Sequence, residues 1–247
     1  MKRSGILGAA LALCLLAGCG TQVVQPRQTD DLPLEGPTVT CRVVERQDDV
    51  LLLAGEGANE VYRLPLGDLP VTGTVEAGSL VEVAYGGDVM ETYPAQLGGP
   101  TAVRAVEDGY DDLCVLYLGA FEDLLAEDPA LSAAIDTVGV DLSRTRLTAG
   151  EQGALAWAVS ERLGKQLVQG TWQELADEGY IDADALVWED GCFLSIEEQE
   201  ESADDAVTFT AELWRSGLGA LYFCDCTSSR AADGHWSAYV PGPIAVA

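Results

Sequence analysis

The chain has 247 residues, 41 acidic against 13 basic side chains and one histidine, for a formal net charge of −28. That surplus of carboxylates argues against a nucleic-acid ligand, because phosphate binding needs clustered Lys and Arg to release counterions; anionic lipid headgroups and other polyanions are disfavoured for the same reason. A hydrophobic fraction of 48% is ordinary for a folded protein, so the acidity belongs to its surface and is no sign of disorder.

Met1-Lys2-Arg3, an apolar run from Gly5 to Ala17 and small residues before Cys19 together make a secretory signal. The run is shorter than the roughly 20 apolar residues of a spanning helix, which argues against an uncleaved anchor. Leu16-Ala17-Gly18-Cys19 resembles the lipobox of bacterial lipoproteins. The resemblance implies cleavage after residue 18, diacylglycerol and palmitate-type acylation at Cys19, and an extracytoplasmic chain whose membrane contact is that lipid. Cleavage removes Lys2 and Arg3 and leaves 229 residues with 41 acids against 11 bases, a balance of −30. Residues 20–36 are polar, rich in proline and without periodicity, so they read as a tether. The expected organisation is a signal peptide over 1–18, a lipidated tether over 19–37, a β domain over 38–107 and an α+β domain over 108–247.

Residues 38–107 read as short strands. "TVTCRVVE" alternates with Val39, Cys41 and Val43 on one face, and "VLLLAG", "EVYRLPL", "LVEVAY" and "TAVRAV" follow between Gly- or Asp-rich turns. That spacing predicts a small antiparallel barrel or sandwich. The step Tyr93-Pro94-Ala95-Gln96, between a strand ending Val-x-Val-x-Tyr and a final strand, resembles the Tyr-Pro-x-Gln step of an OB-like domain of unknown function in secreted lipoproteins of Gram-positive bacteria. The resemblance covers about 70 residues, implies an OB-like barrel and carries no catalytic residue. Pro94 restricts Tyr93 to extended backbone. Tyr93 is expected to pack across the barrel end and Gln96 to bond exposed backbone there. Both are also the ligand-binding candidates, with sugar or peptide favoured over oligonucleotide by the charge.

Beyond Asp108, Leu113, Leu116, Tyr117, Ala120, Phe121 and Leu124 recur at helical spacing, with Cys114 beside the stripe. Asp128-Pro129 predicts a second, short helix. Thr148…Glu151 and Thr171…Glu174 fit the capping box, and Gly164 and Gly179 stand where those helices would end. After Asp184, "ALVW" and "CFLSI" about the turn EDG predict a hairpin, "AVTFTAELWRSGLGALYFCDC" two strands joined at Ser216-Gly217, and "GHWSAYVPGPIAV" the closing strand. The fold class expected is therefore α+β, an OB-like barrel followed by helices packed on an antiparallel meander.

Several constellations could carry chemistry. Six carboxylates crowd Ser195 to Asp205, without the spacing of a calcium loop, so a solvated loop is the expectation. Cys41, Cys114, Cys192, Cys224 and Cys226 form no even disulfide framework, although Cys192 could bridge Cys224 or Cys226. Cys224, Cys226, His235 and Cys192 are the metal candidates, and a cysteine nucleophile with His235 as base is the catalytic one. Against both, Cβ atoms two residues apart on a strand stand roughly 6–7 Å apart, while zinc–sulfur bonds are about 2.3 Å, so convergence needs the strand to break at Asp225. No catalytic residue and no cofactor is therefore assigned. The function expected is that of a non-catalytic binding or envelope-interaction component with an envelope protein, peptide or glycan as partner. A surface hydrolase of sugars or peptides and a sensor domain for a membrane partner are the alternatives.

Overall fold

The computed structural model describes residues 34–200 and 203–247; the expected signal peptide, the expected lipidation at Cys19 and the expected tether up to residue 33 lie outside the described residues. Among the described residues no helix is long and apolar enough to cross a membrane. Fourteen strands and three helices are described, in three sheets.

The first sheet contains β1 (Thr38–Gln47), β2 (Val50–Ala54), β3 (Val61–Pro65), β4 (Val71–Thr72), β5 (Leu80–Ala84) and β8 (Ala102–Ala105), in the order β3-β2-β1-β5-β8-β4. β6 (Val89–Met90) and β7 (Gln96–Leu97) form a separate two-stranded ribbon. The expected OB-like barrel is not formed: this is an open sheet. Its two ends never pair, because the outer edge of β3 is taken by Ala95 beside β7, while β4 pairs only with β8, in parallel. Alternation gives the sheet two apolar faces. Cys41, Val43, Leu51, Leu53, Val81 and Val83 enclose one core with Leu66, Val75 and Leu97, whereas Val44, Leu52, Ala54 and Val61 face the helices. The second face, which a barrel would turn to water, is buried here.

α1 (Leu113–Glu127) and α2 (Ala149–Leu163) fill the layer between this sheet and the next. The stripe expected for α1 is buried at Leu113, Tyr117, Ala120, Phe121 and Leu124, with Cys114 among them. Both capping boxes form. Thr148 Oγ1 accepts from Glu151 N while the Glu151 carboxylate accepts from Thr148 N, and Thr171 and Glu174 do the same for α3 (Trp172–Asp177). Gly164 closes α2 in the left-handed conformation that a side chain disfavours. The short helix expected after Pro129 is not formed; residues 129–134 make turns.

The second sheet has the order β10-β9-β11-β12-β13-β14. Its strands are β9 (Thr137–Arg144), β10 (Gln166–Gln169), β11 (Gly191–Glu198), β12 (Ala206–Ser216), β13 (Gly219–Ser229) and β14 (Ile244–Val246). It is mixed, and the expected antiparallel meander covers only β11 to β14, because β9 pairs in parallel with both β10 and β11. The hairpin about Glu189 is replaced by a crossover. Val187 bridges Asp182 and Ser216, and β11 enters between β9 and β12. One face of the sheet meets α1 and α2. The other carries a second core of Leu175, Ile181, Trp188, Phe193 and Trp214 beneath α3 and residues 178–190. The layers thus run sheet, helices, sheet, short helix with loop, and strand outweighs helix.

Candidate binding site

The cysteine and histidine candidates do not come together. Phe209 faces Cys226 and Ala211 faces Phe223, so Cys224 and Asp225 together oppose Thr210. This is a β-bulge, with Asp225 at φ +48°. The strand does break at Asp225, but the break separates the thiols. The extra residue places Phe223 and Cys226 together in the helix-facing core and leaves Cys224 beside Tyr222 on the other side. Cys226 donates to the Phe223 carbonyl at 3.5 Å. Cys192 is buried in the same helix-facing core. All five described cysteines are free thiols, and among the described residues no group of three His, Cys, Asp or Glu side chains could hold a metal.

His235 belongs to a different cluster, which spacing did not reveal. Its Nδ1 lies 3.1 Å from Asp112 Oδ2 and its ring centroid 4.2 Å from that of Tyr110. Beside it Trp236 donates its backbone N–H to Asp112 and its Nε1–H to Asp111, and Arg230 also pairs with Asp111. Arg146 stacks over Trp236 and binds the Glu198 carboxylate at 2.7 Å, to which Tyr117 donates at 2.7 Å. Arg42 reaches Glu151 and the carbonyls of Gly78 and Gly109. Every guanidinium here is matched by a carboxylate from another element. The hub fastens residues 230–239 to the start of α1, and its guanidiniums are neutralised in doing so.

Burial pushes the thiols of Cys41 and Cys192 up to about 12. An unfolded thiol ionises near 9, so between pH 9 and 12 the folded chain holds protons that the unfolded chain has lost, and stability falls as pH rises through that window. Each thiol contributes up to about 1.4 kcal/mol per pH unit. Burial raises Tyr62 and Tyr222 in the same direction. The urea midpoint is therefore expected to be flat from pH 7 to 8.5 and to fall beyond it, less steeply in Cys192→Ala. A midpoint rising above pH 9 would contradict this burial.

The polar pocket lies elsewhere, outside the carboxyl ends of β9 and β10. The chain leaves β9 through α2 to reach β10, then crosses the opposite face through α3 to reach β11 on the far side of β9. Where crossovers part to opposite faces of parallel strands, a crevice opens at the strands' carboxyl ends. The crevice here has a volume of about 210 Å³. Val140, Leu142 and Ala156 form its apolar floor, and Asp141, Ser143, Gln152, Gln169, Thr171 and Glu174 supply its polar groups.

Asp141, Gln152 and Glu174 are held by residues within five positions along the chain, and Gln169 by a residue from beyond the first sheet. Asp141 Oδ1 accepts from Ser143 N at 2.8 Å, and Gln152 Nε2 donates to the Leu147 carbonyl at 3.0 Å. Glu174 Oε2 accepts from Thr171 N at 2.8 Å and from its hydroxyl at 2.9 Å, and these bonds hold the carboxyl below its ordinary range. Gln169 Nε2 donates to the Tyr93 hydroxyl at 3.4 Å, which itself donates to the Gly153 carbonyl at 3.2 Å. With both amide nitrogens engaged, the oxygens of Gln152 and Gln169 and one oxygen each of Asp141 and Glu174 remain as acceptors. Tyr93 therefore does not cross a barrel end. It leaves the first sheet, stands edge-on to Trp157 of α2 with centroids 5.6 Å apart, and touches the pocket through Gln169. Gln96 is exposed in β7, opposite Met90, away from these contacts. Tyr93 was visible in the sequence. Gln169 and Asp141 carry no signal in the sequence, which does not mark β9 or β10 as strands.

Comparison with known proteins finds no matching family model, no matching characterised protein and no matching solved structure.

Proposed function

We propose that this chain is a lipid-anchored extracytoplasmic component that binds a hydroxyl- or amine-rich ligand of the glycan class without transforming it. The observation that carries the reading is the pocket at the ends of β9 and β10, whose carboxylates serve as fixed acceptors. A general acid needs a carboxyl raised toward working pH. Glu174 is instead lowered by the two bonds of its capping box, so it stays an anion that receives hydrogen bonds. Four acceptor oxygens and the Ser143 hydroxyl over an apolar floor match a sugar's edge of donors and its apolar ring face. The net charge supports amino sugars over acidic ones. The signal and the Leu16-Ala17-Gly18-Cys19 step support the anchor.

The test is calorimetric titration of the full chain with Cys19→Ser, which removes the lipid, against glucosamine oligomers and neutral glucose oligomers. Binding is expected to be tighter for the amino sugar, at least tenfold weaker in Gln169→Ala or Asp141→Ala, and free of oligomer cleavage. Heat that is unaltered by both substitutions would move the ligand to another site, and cleavage of the oligomers would replace binding with hydrolysis.

A further inference from the structure

We infer that the outer face of α1 is a docking groove for a cationic amphipathic segment of a partner protein, a second surface separate from the polar pocket. The groove has a volume of about 250 Å³, with Val115, Leu116 and Gly119 on one wall and Trp236, Ala238 and Tyr239 on the other. Val115 is 41% exposed in it. Asp112, Val115, Leu116, Gly119 and Asp123 follow the three- and four-residue spacing of one helix face. The stripe is therefore apolar in the middle and carboxylate at both ends, about 16 Å apart. Both acids are fixed: Asp112 by His235 and the Trp236 amide, Asp123 by the Tyr239 hydroxyl at 2.5 Å.

Gly119 is the observation that points outward. Glycine is, after proline, the residue a helix interior tolerates least. In α2 the glycines have internal reasons: a Cβ at Gly150 would stand 2.2 Å from the Gly55 carbonyl, and one at Gly153 would stand 2.9 Å from the Tyr93 hydroxyl. At Gly119 a Cβ would meet nothing within 4 Å. The chain's own packing does not require this glycine, whereas a segment lying against the helix would. Apolar residues between flanking cations complement such a groove, the helix-in-groove mode of recognition. A second copy is the poorer occupant, since the chain's own surplus of acids repels it.

The test uses the full chain with Cys19→Ser and a synthetic helix-forming peptide with leucines on one face and lysines at both ends of that face. Calorimetry gives the affinity, and amide shifts give the place. Shifts are expected at Val115, Gly119 and Tyr239. Gly119→Trp, which fills the groove from an open position, is expected to weaken binding at least tenfold, as is Val115→Arg, with melting temperatures within a few degrees of the parent. A lysine–serine peptide of equal charge is expected to bind at least tenfold more weakly. Equal binding by that peptide would leave only surface charge, and unchanged affinity in Gly119→Trp would overturn the groove. A dimer of the parent chain that Gly119→Trp abolishes would replace the cationic partner with a second copy.

Discussion

Trp188→Ala is expected to lower stability by about 3–5 kcal/mol, a loss of roughly 10 °C or more in melting temperature by calorimetry. Trp188 is 1% exposed and is among the largest fully buried side chains on the far face of the second sheet. Its ring lies where a methyl on Gly139 or Gly191 would stand, and Leu175 of α3 packs with it. Its Nε1–H is bonded to Asp190 at 3.2 Å, so the ring is buried without leaving a donor unpaired. Because Thr171 and Glu174 sit on the helix that this core supports, the substitution should also weaken ligand binding. Trp188→Phe should recover more than half of the stability. A loss below about 1 kcal/mol would mean that residues 178–190 do not cover this face.

Gly150→Ala is the second large effect, at about 3 kcal/mol. The added carbon would stand 2.2 Å from the Gly55 carbonyl oxygen and 2.9 Å from its carbon, both backbone atoms of the turn after β2 that a rotamer change does not move. Either α2 or that turn must shift, and with it the core shared by Val44, Leu52, Ala54 and Val61 with the helices. The contrasting substitution is Gly119→Ala, also within a helix, where a gain of about 0.5–1 kcal/mol is expected because the position is open. Urea unfolding of the two variants side by side reads the difference, and equal effects would show that the first sheet does not press on α2.

Where the local code dominates, the sequence is a good guide. The capping boxes at Thr148 and Thr171, the left-handed Gly164, the α1 stripe and the Ser216-Gly217 turn all form as read, because each depends on residues within four positions of one another. The barrel failed because closure depends on which strand edges meet. The alternation of Val43 and Val44, both buried, shows only that a strand has two apolar faces. A barrel needs only one of those faces inside, whereas here α2 covers the second. The meander holds from β11 to β14 but does not extend to β9 and β10, whose parallel direction is set by the crossovers through α2 and α3. The site was legible in the same uneven way. Tyr93 stood out through its neighbour Pro94, whereas Asp141, Gln152 and Gln169 are ordinary polar residues until three elements bring them to one crevice.

By itself, then, the sequence determined the charge and what that charge disfavours, the stripe of α1, the starts of α2 and α3, the strand segments on either side of β9 and β10, and an N-terminal pattern that resembles a signal and lipobox. These follow from composition or from contacts close along the chain. Only the tertiary structure decided that the sheet stays open, that a bulge at Cys224 and Asp225 parts the two thiols, and that His235 turns to Asp112. It also decided where the acceptors gather and that Gly119 faces open space. Each of those depends on residues from about a dozen to more than 100 positions apart, and no local rule links them.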